Sequence, residues 1–266
     1  MQSPRPLPPV IAALQFPPFR GGTRHSMAWY EEFLLQNAAI FVEGGIKAIK
    51  IQDETRETGM ATQQTVARMA ALGRLFRKTY PDIALGIIIQ AHDAISPLAI
   101  ADAADADFVR LKVFVGASLN AEGLREALSV PATDFRAAIE RSDIRILADV
   151  HDRTSHPLVP VANEMAALWA QNMGADGLVL TGASFADSLN RVEAAKTAGV
   201  RRPIFIGGGI DVGNISAALS VADGVVVSSS LLLKSGDPKS LALWDRFAVE
   251  QLMAEVSARS NPATSL

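Results

Sequence analysis

The sequence contains no cysteine among its 266 residues. A chain without thiols has no disulfide framework, no cysteine nucleophile and no thiolate metal site. Charge of one sign is not in excess either, because 25 Lys and Arg residues stand against 28 Asp and Glu residues. That balance gives no broad basic surface to hold a phosphate backbone, so we expect no nucleic-acid partner.

Long apolar runs are also missing. No uninterrupted run approaches the roughly 18 residues that indicate a membrane span, and we expect none. Residues 1–9 are rich in proline and lack the charged-then-apolar pattern of a secretory signal. We therefore expect a cytoplasmic protein.

The sequence does contain a regular alternation of short apolar runs with longer amphipathic ones. Near-continuous Val, Ile, Leu and Ala over a few residues is typical of parallel strands that are covered on both faces. The predicted strands are 10–16, 48–52, 84–90, 108–115, 145–150, 177–181, 203–207 and 224–228. The predicted helices are 27–43, 62–80, 97–104, 134–141, 157–173, 185–198, 213–221 and 238–256, with Thr62 and Asp187 as early caps.

Eight strand-helix units of even spacing predict an α/β fold, a single (β/α)8 TIM barrel over residues 1–258 followed by a flexible tail at 259–266. An open doubly wound sheet is the alternative, and it is disfavoured because no GxGxxG segment opens a helix. Three of the units share an acid just before the strand, at Asp107, Asp176 and Asp223. We interpret these acids as parts of turns, with no catalytic role.

The active site of such a barrel is built at the C-terminal ends of its strands. The last two predicted strands end in glycines and serines, which allow backbone N–H groups and hydroxyls to approach an anion. The predicted phosphate-binding residues are Gly207, Gly208, Gly209, Asn214, Ser228 and Ser229. The alternative is a tight turn that needs glycine for its backbone conformation and binds no ligand.

Four polar residues at the ends of the second, fourth and fifth predicted strands are the candidate catalytic group: Asp53, Lys112, Asp149 and His151. Period-two alternation places Asp149 and His151 on one face, where a carboxylate beside an imidazole suits acid-base work. A buried structural pair is the alternative. Lys112 shares a face with Arg110, and inward-facing cations would stabilise a substrate oxygen, whereas outward-facing ones would be solvated.

The remaining polar residues at strand ends are candidate substrate-binding groups: Gln15, Gln52, Glu54, Asp93, Arg110 and Thr181. The spacing of the carboxylates is not diagnostic of a metal, so we predict no metal site and no cofactor, with a divalent cation as the alternative.

Several segments together resemble one family. They are VRLKVFVGA at 109–117, ILADVH at 146–151 with Pro157 and Leu158, GADGLVLTG at 174–182, and the glycine turn at 207–214. Through these segments the chain resembles the BtpA family, and the resemblance covers nearly its whole length. The resemblance implies a phosphate-binding kind of barrel, and it associates the chain with photosystem I accumulation or with poorly defined enzymes near sugar-utilisation genes.

Two functions follow as expectations. The first is an enzyme, a lyase or isomerase, whose partner is a small phosphorylated sugar or related metabolite. The second is a non-catalytic assembly or stability factor, of the kind needed for photosystem I biogenesis, in which a barrel has become a binding module. Gln15-Phe16-Pro17, where the family commonly has His-Leu-Pro, favours the second. Association with a second copy of the chain stays open.

Overall fold

The predicted apolar runs form parallel strands in the computed structural model, which describes residues 7–20, 25–151, 154–235 and 240–260. Within these ranges eight strands close a barrel in the order β1-β11-β10-β9-β7-β4-β3-β2. The prediction of a TIM barrel is therefore confirmed. The barrel strands are β1 (Val10–Phe16), β2 (Ala48–Asp53), β3 (Ala84–Ile88), β4 (Phe108–Leu111), β7 (Arg145–Val150), β9 (Gly177–Leu180), β10 (Ile204–Ile206) and β11 (Gly224–Val227).

Helices cover the outside of the barrel and pack against its outward-facing residues in the main apolar core. The described residues form α1 (Met27–Glu43), α2 (Gln63–Thr79), α3 (Ile95–Ala104), α4 (Ser129–Ala138), α5 (Asn163–Asn172), α6 (Phe185–Thr197), α7 (Ile215–Val221) and α8 (Arg246–Ser260). None of the helices in these ranges combines the length and the apolar character needed to cross a membrane.

Several predicted helix boundaries were wrong. Helix α4 covers 129–138 instead of 134–141, because Ser129 N–H donates to the carbonyl of Phe114 and Glu140 turns the chain out of the helix at φ +56°. Helix α5 begins six residues after Pro157, which is paired in a strand instead. Thr62 caps α2 as predicted, whereas Ser184 and not Asp187 caps α6.

The predicted C-terminal end of the barrel, at residue 258, lies near the end of helix α8. Helix α8 ends at Ser260, so the boundary predicted at residue 259 falls inside this helix, and residues 261–266 of the predicted tail lie outside the described residues. The predicted start of that helix at residue 238 also lies outside them. Helix α8 begins at Arg246, after a described stretch in which Trp244 bridges Leu232.

The three acids that precede strands have a structural role, as predicted. The Asp107 carboxylate accepts a hydrogen bond from Leu85 N–H of β3 at 2.7 Å. Asp176 and Asp223 accept in the same way, at 2.9 Å each, from the N–H groups of Ile146 and Ile204. Each acid therefore satisfies a backbone donor at the start of the neighbouring strand, at the face of the barrel opposite the candidate site.

The barrel interior changes from apolar to polar along its axis. Phe108, Leu147 and Phe205 belong to a buried apolar cluster inside the barrel, towards the N-terminal ends of the strands. A Cβ at Gly86 would overlap the Phe108 ring, so glycine is required there for the ring to fit. Two residues beyond Phe108 and Leu147 the interior positions are Arg110 and Asp149, and this change places the polar side chains at one end of the barrel.

A small antiparallel sheet beside the barrel was not predicted. It consists of β5 (Ser118–Asn120), β6 (Gly123–Arg125) and β8 (His156–Pro157), in the order β6-β5-β8. Its strands come from the segments that follow β4 and β7. These segments are too short and too mixed in polarity to be distinguished from loops in the sequence.

Candidate active site

A cavity of about 380 Å³ opens at the C-terminal end of the barrel. Side chains or backbone from the ends of all eight barrel strands line it. The predicted residues that line it are Gln15, Gln52, Glu54, Asp93, Arg110, Lys112, Asp149, His151, Thr181, Gly207, Gly208, Gly209, Ser228 and Ser229. Of the predicted site residues only Asp53 and Asn214 are not part of its wall.

Lys50 forms part of the cavity floor and was not assigned a role from the sequence. Its side chain extends inward from the middle of β2 and only 2% of the residue is exposed. Burial lowers the pKa of the Lys50 ammonium well below its ordinary value, and the positive charge of Arg110 lowers it further. The signal was present in the sequence, because a lysine inside an otherwise apolar strand is costly unless it is used.

Amide side chains connect Lys50 to the rest of the cavity. The Lys50 ammonium contacts Gln52 Oε1, and Gln52 Nε2 in turn donates to Glu54. Gln15 Nε2 donates to the same Glu54 carboxylate at 3.2 Å, and Ser228 Oγ donates to Gln15 Oε1 at 2.8 Å. The network fixes the orientation of these groups before any ligand arrives.

A second branch of this network reaches β4. Gln90 Nε2 lies 3.5 Å from Glu54 Oε2, and its Oε1 accepts a hydrogen bond from Lys112 Nζ. The Lys112 side chain therefore lies inside the cavity, and among the described residues its ammonium is held by an amide. This arrangement leaves part of its charge available to a ligand oxygen.

Arg110 and Asp149 form a bidentate ion pair across β4 and β7. Arg110 Nε donates to Asp149 Oδ1 at 2.7 Å and Arg110 Nη2 donates to Oδ2 at 3.1 Å. The exposed fractions of the two side chains are 13% and 7%. Both oxygens of Asp149 are therefore bound by a guanidinium that cannot give up its proton, which makes Asp149 an electrostatic partner.

His151 follows β7 in a left-handed conformation, with φ +57°. Its Nδ1 lies 2.9 Å from Asn163 Oδ1 at the start of α5, and Arg191 Nη1 donates to the same oxygen at 3.1 Å. Because that oxygen is an acceptor, Nδ1 carries the ring proton and Nε2 of the neutral ring can accept a proton. Asn163 and Arg191 were both missed from the sequence.

Three predicted residues make hydrogen bonds to the backbone. Asp53 lies on the outward face of β2, fully buried, where Oδ1 accepts from Thr55 N–H at 2.7 Å and burial raises its pKa to about 6. Asp93 borders the cavity, and its Oδ1 accepts from the N–H groups of Ile95 and Ser96 at the start of α3. Asn214 braces the glycine turn, donating to the carbonyl of Gly209 at 2.8 Å.

Charged residues from the small antiparallel sheet border the mouth. Arg125 of β6 forms an ion pair with Glu122, and Arg56 Nη1 lies 3.4 Å from Glu122 Oε1. His92 also lines the cavity, and burial lowers its pKa, with Arg125 acting in the same direction. In the part of the chain that the structure describes, no three His, Asp or Glu side chains are grouped as metal ligands.

Comparison with known proteins gives a family and a fold. The family model described as the BtpA family matches residues 7–257. The photosystem I biogenesis protein BtpA of Synechocystis sp. is 35% identical over 150 residues, which is 55% of this chain and only 52% of that protein. The match thus spans about half of each chain.

Solved structures share the barrel at low identity. One is KGPDC from Streptococcus mutans, with a TM-score of 0.59 and 12% identity over 96% of this chain and 100% of the other. Another is phosphoribosyl anthranilate isomerase from Thermus thermophilus, with a TM-score of 0.51 and 14% identity over 94% of this chain and 98% of the other. At such identity the likeness shows the fold alone.

Proposed function

The chain belongs to the BtpA family, and from this premise we propose that it is an enzyme, a lyase or isomerase that acts on a small phosphorylated sugar or related carbonyl metabolite. The observation that carries the proposal is the Lys50 amine, buried in the floor of an open polar cavity. Strongly perturbed ionisable groups in a cleft are typical of catalytic sites.

Lys50 is the proposed general base. A lowered pKa raises the fraction of the neutral amine, the form that can take a proton from the carbon next to the substrate carbonyl. The electron pair then moves onto the carbonyl oxygen and gives an enolate. In an isomerisation the Lys50 ammonium returns the proton to the neighbouring carbon. In a cleavage it first takes a hydroxyl proton, and after the carbon–carbon bond breaks it protonates the enolate carbon.

Lys112 and Arg110 are the proposed stabilisers of the enolate oxygen. Both line the cavity beside Lys50, and their charges are held in place by Gln90 and Asp149. Positive groups that are fixed before the reaction stabilise charge as it develops, because no reorganisation is needed. Asp149, predicted from the sequence to move protons, serves in this proposal to orient Arg110.

His151 is the proposed second proton carrier. Its Nδ1 proton is engaged by Asn163, which leaves Nε2 as the basic atom. A base with a fixed tautomer suits the transfer of a proton between a substrate hydroxyl and the carbonyl oxygen, the step that isomerisation of a sugar requires in addition to carbon deprotonation.

The glycine turn after β10 and the serines after β11 are the proposed phosphate site. Gly208, Gly209, Ser228 and Ser229 line the cavity on the side opposite Lys112, and Gly209 has φ +73°, a conformation that favours glycine. Backbone N–H groups in a glycine turn approach an anion closely. Asn214, predicted as a phosphate ligand, instead contributes by holding this turn.

Deuterium exchange tests the proposed function without knowledge of the product. The protein is incubated in D2O with a panel of phosphorylated aldoses and ketoses and of aryl-substituted carbonyl compounds, and mass spectrometry follows deuterium at carbon. We expect exchange with at least one compound, and a loss of about 100-fold or more in Lys50→Met, the scale of a proton-transfer group. Phe247→Ala, at an exposed position on α8, is the matched control and should keep the rate.

The same experiment separates the enzyme from the alternative, a non-catalytic assembly factor like the Synechocystis relative, whose name refers to photosystem I biogenesis. An assembly factor needs no proton transfer, so Lys50→Met would leave its function intact. Absence of exchange across the whole panel, with a folded protein, would contradict the enzymatic proposal.

A further inference from the structure

A second cavity, of about 420 Å³, lies next to the polar one, between the small antiparallel sheet and α5. Its wall is mostly apolar and includes Val115, Leu158, Val161 and Trp169. We call this cavity the apolar groove. Leu158 and Trp169 line the groove together and remain 54% and 42% exposed, and apolar side chains grouped at one exposed site mark a surface for a partner or ligand.

The apolar groove adjoins the candidate active site. Lys112, Asp149 and His151 line both cavities. A molecule whose reacting carbon lies beside Lys112 and His151 therefore has the groove next to it. This shared wall favours part of the substrate as the occupant of the groove.

One polar atom in the groove lacks a partner. Ser118 of β5 lines the groove, is 6% exposed, and its Oγ makes no hydrogen bond within the described residues. A buried hydroxyl without a partner is destabilising, and native proteins seldom retain one. A ligand atom at this position would satisfy it.

We propose that the substrate carries an aromatic arm that occupies the apolar groove, with one hydrogen-bonding atom next to Ser118. This inference rests on the proposed function, because the reacting end of the same molecule occupies the polar cavity. A cavity of roughly 150 Å³ holds one benzene ring, so the groove has room for two fused rings. The exposed face of Trp169 supplies a flat surface against which such rings stack.

Titration with 2-naphthol and with naphthalene tests the arm, because the two probes differ only by one hydroxyl. We expect 2-naphthol to bind more tightly. Ser118→Ala should weaken 2-naphthol by about threefold to tenfold, the worth of one hydrogen bond, and leave naphthalene unchanged. Trp169→Ala should weaken both probes, and the control Phe247→Ala should weaken neither. Thermal melting establishes that each variant is folded.

The link to the active site is tested by nuclear magnetic resonance of the His151 ring. Bound 2-naphthol should shift the His151 resonances, since His151 lines both cavities. If Ser118→Ala and Trp169→Ala leave both affinities unchanged, the groove assignment is wrong. If 2-naphthol binds but His151 does not respond, the groove is a separate surface for an apolar side chain of another protein, and the substrate-arm inference is overturned.

These outcomes are independent of the exchange experiment. Failure of the proposed function appears as no deuterium exchange in any compound, whatever the naphthol result. If only the substrate-arm inference is wrong, the groove variants bind 2-naphthol as the wild type does, or the His151 resonances do not shift on binding, while deuterium exchange still depends on Lys50.

Discussion

Replacement of the buried Lys50 by methionine should make the protein more stable at neutral pH. Methionine is close to lysine in length and carries no charge, so Lys50→Met removes the cost of burying an ammonium. Burial lowers the pKa of Lys50 in the folded state relative to the unfolded chain. The unfolded chain therefore binds this proton more tightly, and protonation favours unfolding.

The sign and the slope of the effect follow from this linkage. Between the lowered folded-state pKa and the ordinary value of 10.5, the wild-type free energy of unfolding gains about 1.4 kcal/mol per pH unit from this group as pH rises. Lys50→Met lacks that gain. Its advantage is thus largest at and below the lowered folded-state pKa of Lys50, shrinks as pH rises above that value, and disappears near pH 10.5. There the variant should be less stable by about 1 kcal/mol, because the hydrogen bond to Gln52 is lost.

The assay is urea unfolding followed by circular dichroism, at pH steps from 6 to 10.5 on both proteins. Other groups that titrate in this range, such as Tyr30 and Tyr80, are common to both proteins and cancel in the difference. A difference in stability that does not change with pH would refute the reasoning, because it would mean that Lys50 has the same pKa in the folded and unfolded chains.

Three further predictions concern stability. Arg110→Met should cost about 3–5 kcal/mol, because it removes the bidentate partner of the buried Asp149 carboxylate; addition of Asp149→Leu should recover most of the loss in urea unfolding, and no recovery would argue against the pair. Asp53→Asn should keep the rate of deuterium exchange. Burial raises the Asp53 pKa from 3.8 to about 6, so the wild-type free energy of unfolding falls by up to about 3 kcal/mol as pH rises through this window. Melting scans at pH 3.5 and 7 should therefore show the variant gaining stability relative to the wild type at the higher pH. Gly207→Ala should cost roughly 1–3 kcal/mol of stability, because the new Cβ would overlap a threonine hydroxyl on the neighbouring strand end. The control Gly59→Ala has open space around its Cβ. Equal stability of the two variants would contradict this packing.

The sequence by itself determined the barrel. Runs of Val, Ile, Leu and Ala are local signals, and eight of them at even spacing leave few folds that cover both faces of every strand. The location of the site followed from the same register, because strand ends share one face of a barrel. Period-two alternation predicted that Arg110 shares a face with Lys112 and Asp149 with His151, and all four line the cavity in the structure.

The tertiary structure alone decided what each polar residue contacts. Asp149 is paired with Arg110, 39 residues away in sequence, and no local pattern specifies a partner on another strand. Asp53 and Glu54 are adjacent in sequence, yet one faces the helices and the other faces the cavity, because successive side chains of a strand alternate in direction. The lowered pKa of Lys50 arises only when the barrel closes around it, and the apolar groove only when α5 packs beside the small sheet, since burial is a property of the packed chain and not of any segment.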